Sequence, residues 1–429
     1  MAARDASIFE QITIESGDGT RTIDMRLGVV AIKYYEDVFS PTITAEITVS
    51  NTGGTIPGKD GSLQSIYSGL PLRGGERVFI KIAGNSDKNK SGIDLVDEPL
   101  YVSKITNVIR EGQRETFTLK LVSREAITNE TSRLYKKFPR AQITDHIENI
   151  IKEGLQSQKT LKSDVVSNQY SFIGNLRRPF DVLTWLASKS IPDTNVPGYF
   201  FYETIDGYNF RSIDKLIIDG KASPKAEYYH QEDQDIEKST DQRILSYSVN
   251  RNNDLLEKLR LGTYASFFTE YDPYQSKFSL QQEGKRTITD FAKNATFLGD
   301  DPDIPKIFGS GNFSFDTVPS RIISSVLDVG VLEKDVSKQP GNDAKLYQRD
   351  AFFRYNYLFM QTLNMTVPLN NNLRSGDVIR CNFLKISANS NDFDPENSGL
   401  YMIKELCHYF DGTQSLTSMK LLRDTFRDI

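Results

Sequence analysis

Through about residue 125 the chain alternates apolar and polar positions with a period of two. Val78, Ile80 and Ile82 face away from Phe79 and Lys81, which suits a sheet with one buried and one wet face. The segments Ser7–Ile14, Thr22–Tyr34, Thr42–Ser50, Glu76–Ala83, Pro99–Ile109 and Glu115–Ser123 are rich in Val, Ile, Thr, Phe and Tyr. Clusters of Gly, Asp, Asn or Pro bound each one, so each is predicted to be a strand. Strands at this spacing predict a small antiparallel barrel or sandwich. The polar stretch Gly84–Gly92 reads as a solvated loop.

From about Ala126 the period lengthens. Ile143, Ile147, Ile150, Ile151 and Leu155 share one helical face. A second helix is predicted from Pro179, a residue suited to a first helical position, and is apolar around most of its girth. Tyr199–Glu203 and Tyr208–Ile213 flank Asp206-Gly207, a signal for a tight hairpin turn. Residues 126–218 therefore read as a compact α+β module, and the polar residues 219–242 as a linker. Further strands are predicted at Arg243–Val249, Thr263–Tyr271, Lys277–Gln281, Leu363–Val367, Val378–Leu384, Leu400–His408 and Leu416–Leu422. Helices are expected around Leu255–Leu259 and within Ala344–Met360, while 299–345 carries the weakest pattern.

The two ends of the chain repeat one another. Residues 98–126 align without gaps on 398–426, at an offset of 300, matching Leu100/Leu400, Tyr101/Tyr401, Lys104/Lys404, Gly112/Gly412, Lys120/Lys420 and Leu121/Leu421. Upstream, Arg73-Gly74-Gly75-Glu76 echoes Arg374-Ser375-Gly376-Asp377. A generic likeness between antiparallel hairpins competes with the sharper reading, a duplicated barrel. The expected fold class is mainly β with α+β insertions: two related antiparallel, tube-like β-barrels plus inserted modules. The domains are then 1–125, the α+β module 126–235, and a second barrel 236–429 (about 236–285 and 361–429) carrying an insertion at about 286–360. Three such chains in a cyclic ring would present six similar barrels and so join a three-fold partner to a six-fold one.

Composition narrows the chemistry. The 429 residues carry 52 basic and 57 acidic side chains, a net charge of -5, which argues against a general nucleic-acid binder. No apolar run reaches the length needed to span a bilayer, and no secretory signal is visible at the N-terminus. Gly53–Asp60 resembles a phosphate loop until Asp60 stands where Ser or Thr must hold magnesium. His146, His230 and His408 have no metal-binding spacing, and Cys407–His408 would point to opposite faces of a strand. Cys381 and Cys407 read as reduced, buried residues in neighbouring strands. The acidic runs Asp300-Asp301 with Asp303, and Asn389–Asn397, lack the spacing of a calcium loop. Lys136-Lys137 with Arg140, and Arg177-Arg178, read as solvated basic faces. No cofactor, metal or catalytic site is expected.

The segments SIYSGLPLRGGERVFIKI (65–82), RRPFDVLTWLASKSI (177–191), GYFFYETIDGYNFRSIDKL (198–216) and the C-terminal SGDVIRCNF … GLYMIKELCHYFDGTQSLTSMKLL resemble the central baseplate hub family of T4-like contractile-tailed phages. The resemblance follows the chain in order over nearly its whole length, and none of the segments is a catalytic signature. It implies a homotrimeric virion component of the tail baseplate, assembled in the host cytoplasm. Its expected neighbours are a trimeric cell-puncturing spike, the tube initiator or tube protein, the end of the tape-measure protein and other baseplate wedge proteins. DNA would pass through without specific binding, so the channel wall should lack a dense array of Lys and Arg. The repeated turns and hairpins supply the candidate interface residues: Leu70, Arg73, Gly75, Arg77, Tyr101, Arg374, Gly376, Asp377 and Tyr401. Arginine suits assembled surfaces through its planar, multi-donor head. The alternatives are a glycan-binding tail-fibre or adhesin module and a tail-associated wall hydrolase.

Overall fold

Alternating side chains do produce strands here, and most of them join one sheet. In a computed structural model of the chain, the described residues are 5–52, 54, 56–57, 61–70, 72–86, 89–230, 240–273, 275–278, 284–302, 304–306, 314–326, 347–385 and 393–426. The sheet has thirteen strands. Its main path runs Ser246–Arg251, Gln361–Pro368, Ser415–Arg423, Gly399–Asp411, Val29–Asp37, Thr44–Thr52, Arg114–Val122, Ile93–Glu111, Arg77–Ile82, Phe9–Glu15 and Thr22–Asp24.

The duplication is visible in this order. Val29–Asp37, Thr44–Thr52, Arg114–Val122, Ile93–Glu111 and Arg77–Ile82 are neighbours in that sequence. Ser246–Arg251, Gln361–Pro368, Ser415–Arg423, Gly399–Asp411 and Val378–Asn382 repeat it. Two separate closed barrels were expected, and the structure corrects this to one open sheet shared by both copies. The cause lies in Gly399–Asp411. Its residues 399–402 pair with Val378–Asn382, and on the same edge residues 405–411 pair with Val29–Asp37. Hydrogen bonds that would close one copy are used to join the two.

The register also corrects the gapless alignment. Tyr101 pairs with Val122, whereas Met402, not Tyr401, pairs with Leu422. The equivalent of Leu100 is therefore Tyr401, and Val102 corresponds to Ile403. A bulge at Asn107 (φ 53°) inserts one residue, and from Ile109 and Tyr409 onward the offset returns to 300. The Tyr101/Tyr401 identity is thus a coincidence of sequence, because a one-residue slip exchanges the two faces of a strand.

Each copy buries one face. The first core includes Ile32, Ala45, Ile47, Val49, Val78, Ile80, Leu100, Val102, Leu119 and Leu121. The second has Leu363, Met365, Val367, Ile379, Cys381, Tyr401, Ile403, Met419 and Leu421 at matching positions. Between the copies, Ile143–Asn149, Pro179–Ala187 and the hairpin Tyr199–Thr204/Gly207–Ser212 pack around their own core. Lys159 ties this module to the first copy, with Nζ 2.5 Å from Glu203, itself an acceptor for the Ile43 N–H at 3.0 Å. The buried Arg354 joins the later insertion to Asp214 (2.7 Å) and Asp424 (3.3 Å).

Other local differences have plain causes. The expected strand Thr22–Tyr34 breaks at the short helical turn Arg26–Gly28, where Asp24 accepts from the Arg26 N–H at 2.9 Å. The two-residue loop of the module hairpin is Ile205-Asp206 rather than Asp206-Gly207. Gly207 (φ 117°) is needed one position later because a Cβ there would stand 2.6 Å from the Thr160 carbonyl oxygen. The described part of the expected linker carries regular structure: the helix Ile213–Ala222 runs into it, and Glu227–Tyr229 adds a parallel strand to Val378–Asn382. Residues 231–239 of that linker lie outside the described residues, as do most of Gly53–Asp60, the run 389–392, and Asp303.

Candidate assembly surface

The two Arg-x-Gly-acid turns are built alike. In the first, Glu76 accepts from the N–H of Arg73 (2.6 Å) and of Gly74 (2.9 Å). The Gly75 N–H donates to the Val102 carbonyl at 2.7 Å, and the Val102 N–H returns to Glu76 at 2.9 Å. In the second, Asp377 accepts from the Arg374 N–H (2.9 Å), Gly376 donates to Ile403 (2.8 Å), and Ile403 donates to Asp377 (2.8 Å). Gly75 and Gly376 share φ values of 89° and 88°. In each turn the carboxylate closes a one-turn ring of backbone donors, which explains the repeated spacing.

Their surroundings differ. Arg73 is exposed at the rim, and Arg77 pairs with Glu15 at 2.8 Å. Arg374 is engaged inside the chain: it reaches Asp206 at 2.7 Å and the carbonyls of Asn371 (2.6 Å) and Leu373 (2.9 Å). Beside it, the buried Glu36 accepts from the N–H groups of Ser375 and Ile205 (both 3.0 Å) and from the Tyr34 hydroxyl (2.9 Å). One carboxylate thus bonds the first copy, the second copy and the module. Burial pushes the Glu36 pKa up to about 7, against the pull of Arg374 and the three donors. The sequence reading missed Glu36. Its signal was an acid at the inward parity of Ile32 and Tyr34.

The other candidates scatter in role. Leu70 is 1% exposed in the first core, and Tyr401 is fully buried, its hydroxyl donating to the Asn397 carbonyl at 2.6 Å. Tyr101 is half-buried on the opposite face parity, and burial raises the Asp377 pKa. The structure brings Arg374, Gly376 and Asp377 together at the joint between the copies. Arg73, Gly75 and Arg77 stand together on the equivalent, open turn.

Opposite the two cores, part of the sheet is polar, while Val378, Leu400, Met402 and Leu422 on that side are buried against Phe200, Tyr202 and Ile213 of the module. Lys120 pairs with Glu46 (2.8 Å), Lys420 with Glu405 (2.7 Å) and Lys404 with Asp37 (2.8 Å). Between these lie hydroxyl ladders, Thr48 on Thr118 at 3.3 Å and Thr366 on Ser418 at 3.1 Å. Lys120, Lys404 and Lys420 each have a carboxylate partner on this face, whereas Lys104 lies across the strands from Lys120.

Histidines serve the packing. His146 is buried, bonds the Tyr170 carbonyl (2.8 Å) and lies edge-on to Phe138 and Phe172. His408 is 2% exposed, bonds Thr417 (3.1 Å) and stacks on Tyr34; burial holds its pKa down at about 3, and nearby Arg374 adds to the effect. His230 meets Tyr247 edge-on. Cys381 and Cys407 are both free. Among the described residues, no group of three or more His, Cys, Asp or Glu is placed to hold a metal, and no helix is long and apolar enough to cross a membrane.

This fold is similar to that of two solved tail proteins. The tail protein from Neisseria meningitidis MC58 superposes with a TM-score of 0.56 at 9% identity, covering 96% of this chain and 96% of that one. The 43 kDa tail protein of prophage MuSo2 from Shewanella oneidensis gives 0.54 at 11% identity, covering 98% and 100%. At these identities the likeness establishes a shared fold. No protein-family model matches the chain, and no curated protein matches it in sequence.

Proposed function

We propose that this chain is a structural, non-enzymatic protein of a phage tail, the central hub of a contractile-tail baseplate. Three copies form a ring around the DNA channel, with the six-fold tail tube on one side and the three-fold cell-puncturing spike on the other. The observation that carries this reading is the doubled strand order within one sheet, in a fold shared with tail proteins over nearly the full chain. Two equivalent units per chain convert three-fold to six-fold symmetry without a second gene product.

On this reading the units are residues 1–125 and 236–429, with 126–235 and about 286–360 as outward modules. Arg73, Gly75 and Arg77 belong to a rim facing another subunit or the spike. The tube initiator, the tape-measure end and the wedge proteins complete the set of neighbours in the virion baseplate, assembled in the host cytoplasm. The paired charges of the polar sheet face suit a wall that DNA crosses without being held. End-on electron-microscopy views of assembled particles test the proposal. Six density lobes from three chains are expected, and three lobes would count against it.

A further inference from the structure

In the α+β module, residues 131–142 and 169–178 carry six Lys or Arg and no Asp or Glu, within a chain of net charge -5. The two segments run side by side. Lys137 pairs with Ile173 at the end of a two-stranded ladder, and Leu134 bridges to Arg177 beyond it. At this corner Tyr135 is 80%, Ile173 53% and Leu176 66% exposed. Exposed basic side chains flank them, Arg133, Lys136 and Lys137 on one segment and Arg177 and Arg178 on the other.

The corner is held in a costly shape. Asn175 and Leu176 have φ values of 50° and 57°, a conformation unfavourable for leucine unless its surroundings impose it. The Leu176 N–H donates to the Leu134 carbonyl at 2.8 Å, and the Gly174 N–H donates to the Lys136 carbonyl at 3.1 Å. The backbone is thus strained to keep a large apolar side chain in water, where the fold gains nothing from it. Two arginines are fixed beside it. Arg133 Nη1 donates to the carbonyls of Glu130 (3.0 Å) and Ser132 (2.6 Å), and the Arg177 guanidinium lies 5.6 Å over the Trp185 ring. Lys136 pairs with Glu153 and Arg178 with Glu130, whereas Arg133 and Arg177 form no ion pair among the described residues. Among the same residues the main chain of Tyr135 forms no hydrogen bond.

We propose that this corner of the module docks an extended acidic segment of another protein. Its carboxylates meet Arg133 and Arg177, its apolar side chains cover Tyr135 and Leu176, and its main chain bonds the free N–H and carbonyl of Tyr135. The inference goes beyond the hub reading and does not depend on it. Charge complementarity selects the occupant. Planar guanidiniums already held in place bind carboxylates with little further ordering, and Tyr and Arg are the side chains that most often anchor an interface. A duplex or an anionic bilayer is a broad polyanion, which a chain of net charge -5 repels as a whole, whereas a narrow acidic segment meets the basic corner alone. Nucleic acid also needs open aromatic faces for its bases, and the Trp185 ring is taken by Arg177 and by Lys189 at 4.8 Å.

The test replaces Tyr135 in the full chain with the photo-cross-linker p-benzoylphenylalanine, in cells that produce it with its natural partners, and sequences the attached peptide. A peptide of net negative charge from a different protein is expected. Its yield should fall at least tenfold with Arg133→Glu plus Arg177→Glu, and at least tenfold with Leu176→Gly. The glycine variant should also melt no lower than wild type, because glycine adopts this φ without strain, so its loss of capture is not a loss of folding. No cross-link, a neutral or basic peptide, a peptide of a second copy of this chain, or a yield that either variant leaves unchanged would overturn the proposal. Vesicles containing phosphatidylglycerol and a labelled DNA duplex are the rival probes. Binding of either by the wild-type chain that the double arginine variant abolishes would overturn it in favour of a polyanion site. An acidic peptide captured by a chain absent from tails would support the docking surface and sink the hub reading, while a chain present in tails without capture would do the reverse.

Discussion

Glu36 is the residue at which both copies and the module meet, and its ionisation is linked to folding. Arg374, Tyr34 and Tyr202 are the charged or titratable groups around it. Its pKa rises from an ordinary 4.5 to about 7 in the folded chain, so the folded state holds the proton more tightly. Stability from this group is fully present below about pH 4.5 and falls as pH rises toward 7, by about 3 kcal/mol in all. His408 has the opposite sign: its depressed pKa makes stability fall as pH drops below 6.5. The two slopes oppose each other between about pH 4.5 and 6.5, so the wild-type curve alone conceals both. Glu36→Gln should therefore gain stability relative to wild type as pH rises from 4.5 to 7. Denaturant melts of the two proteins at stepped pH measure this directly, and a flat difference would show that Glu36 is not the titrating group.

At the scale of elements, the paired turns separate conformation from environment. Gly75 and Gly376 adopt the same positive φ, but a Cβ on Gly75 meets nothing within 4 Å, whereas one on Gly376 would stand 2.4 Å from the Tyr202 hydroxyl. Gly75→Ala should cost about 1 kcal/mol, the strain of the backbone alone. Gly376→Ala should cost about 1–3 kcal/mol more, because Tyr202 is buried and cannot step aside. Urea midpoints of both variants check the difference, and equal losses would deny that the module clamps the second turn. The same comparison shows what was legible beforehand. The turn spacing, the inward residues of most strands and the start of the helix at Pro179 are local facts, and sequence carries them. Which edge a strand offers to which neighbour is not local. Residues 405–411 look like any hairpin arm until Val29–Asp37 arrives from almost four hundred residues away. The Asn107 bulge was hidden because the chance Tyr101/Tyr401 identity favoured a gapless match. Arg374 read as a surface arginine because Asp206, its partner, lies in another module.

For the whole molecule, the decisive property is that the polar part of a sheet face shared by both copies carries lysines paired with carboxylates. A channel wall must let a polyanion slide, and each unpaired cation would add a phosphate contact and a released counterion. Here Lys120 and Lys420 occupy equivalent positions of the two copies, and each is held by an acid on an adjacent strand, Glu46 on one side and Glu405 on the other. Reversing both acids, Glu46→Lys with Glu405→Lys, frees two lysines and adds two more in every chain. In the proposed ring, repetition of these sites would turn the wall into a basic sleeve. The variant should retain duplex DNA at low salt, with an affinity that falls steeply as salt is raised, while wild type shows little retention under the same conditions. Fluorescence anisotropy of a labelled duplex at stepped salt reads both quantities. Particles assembled with the variant should still form, because the substituted side chains lie outside either core, but should eject DNA more slowly. Tight, salt-dependent binding by the wild-type chain would show that the paired face is not a passive wall, and the channel would then have to lie along another surface.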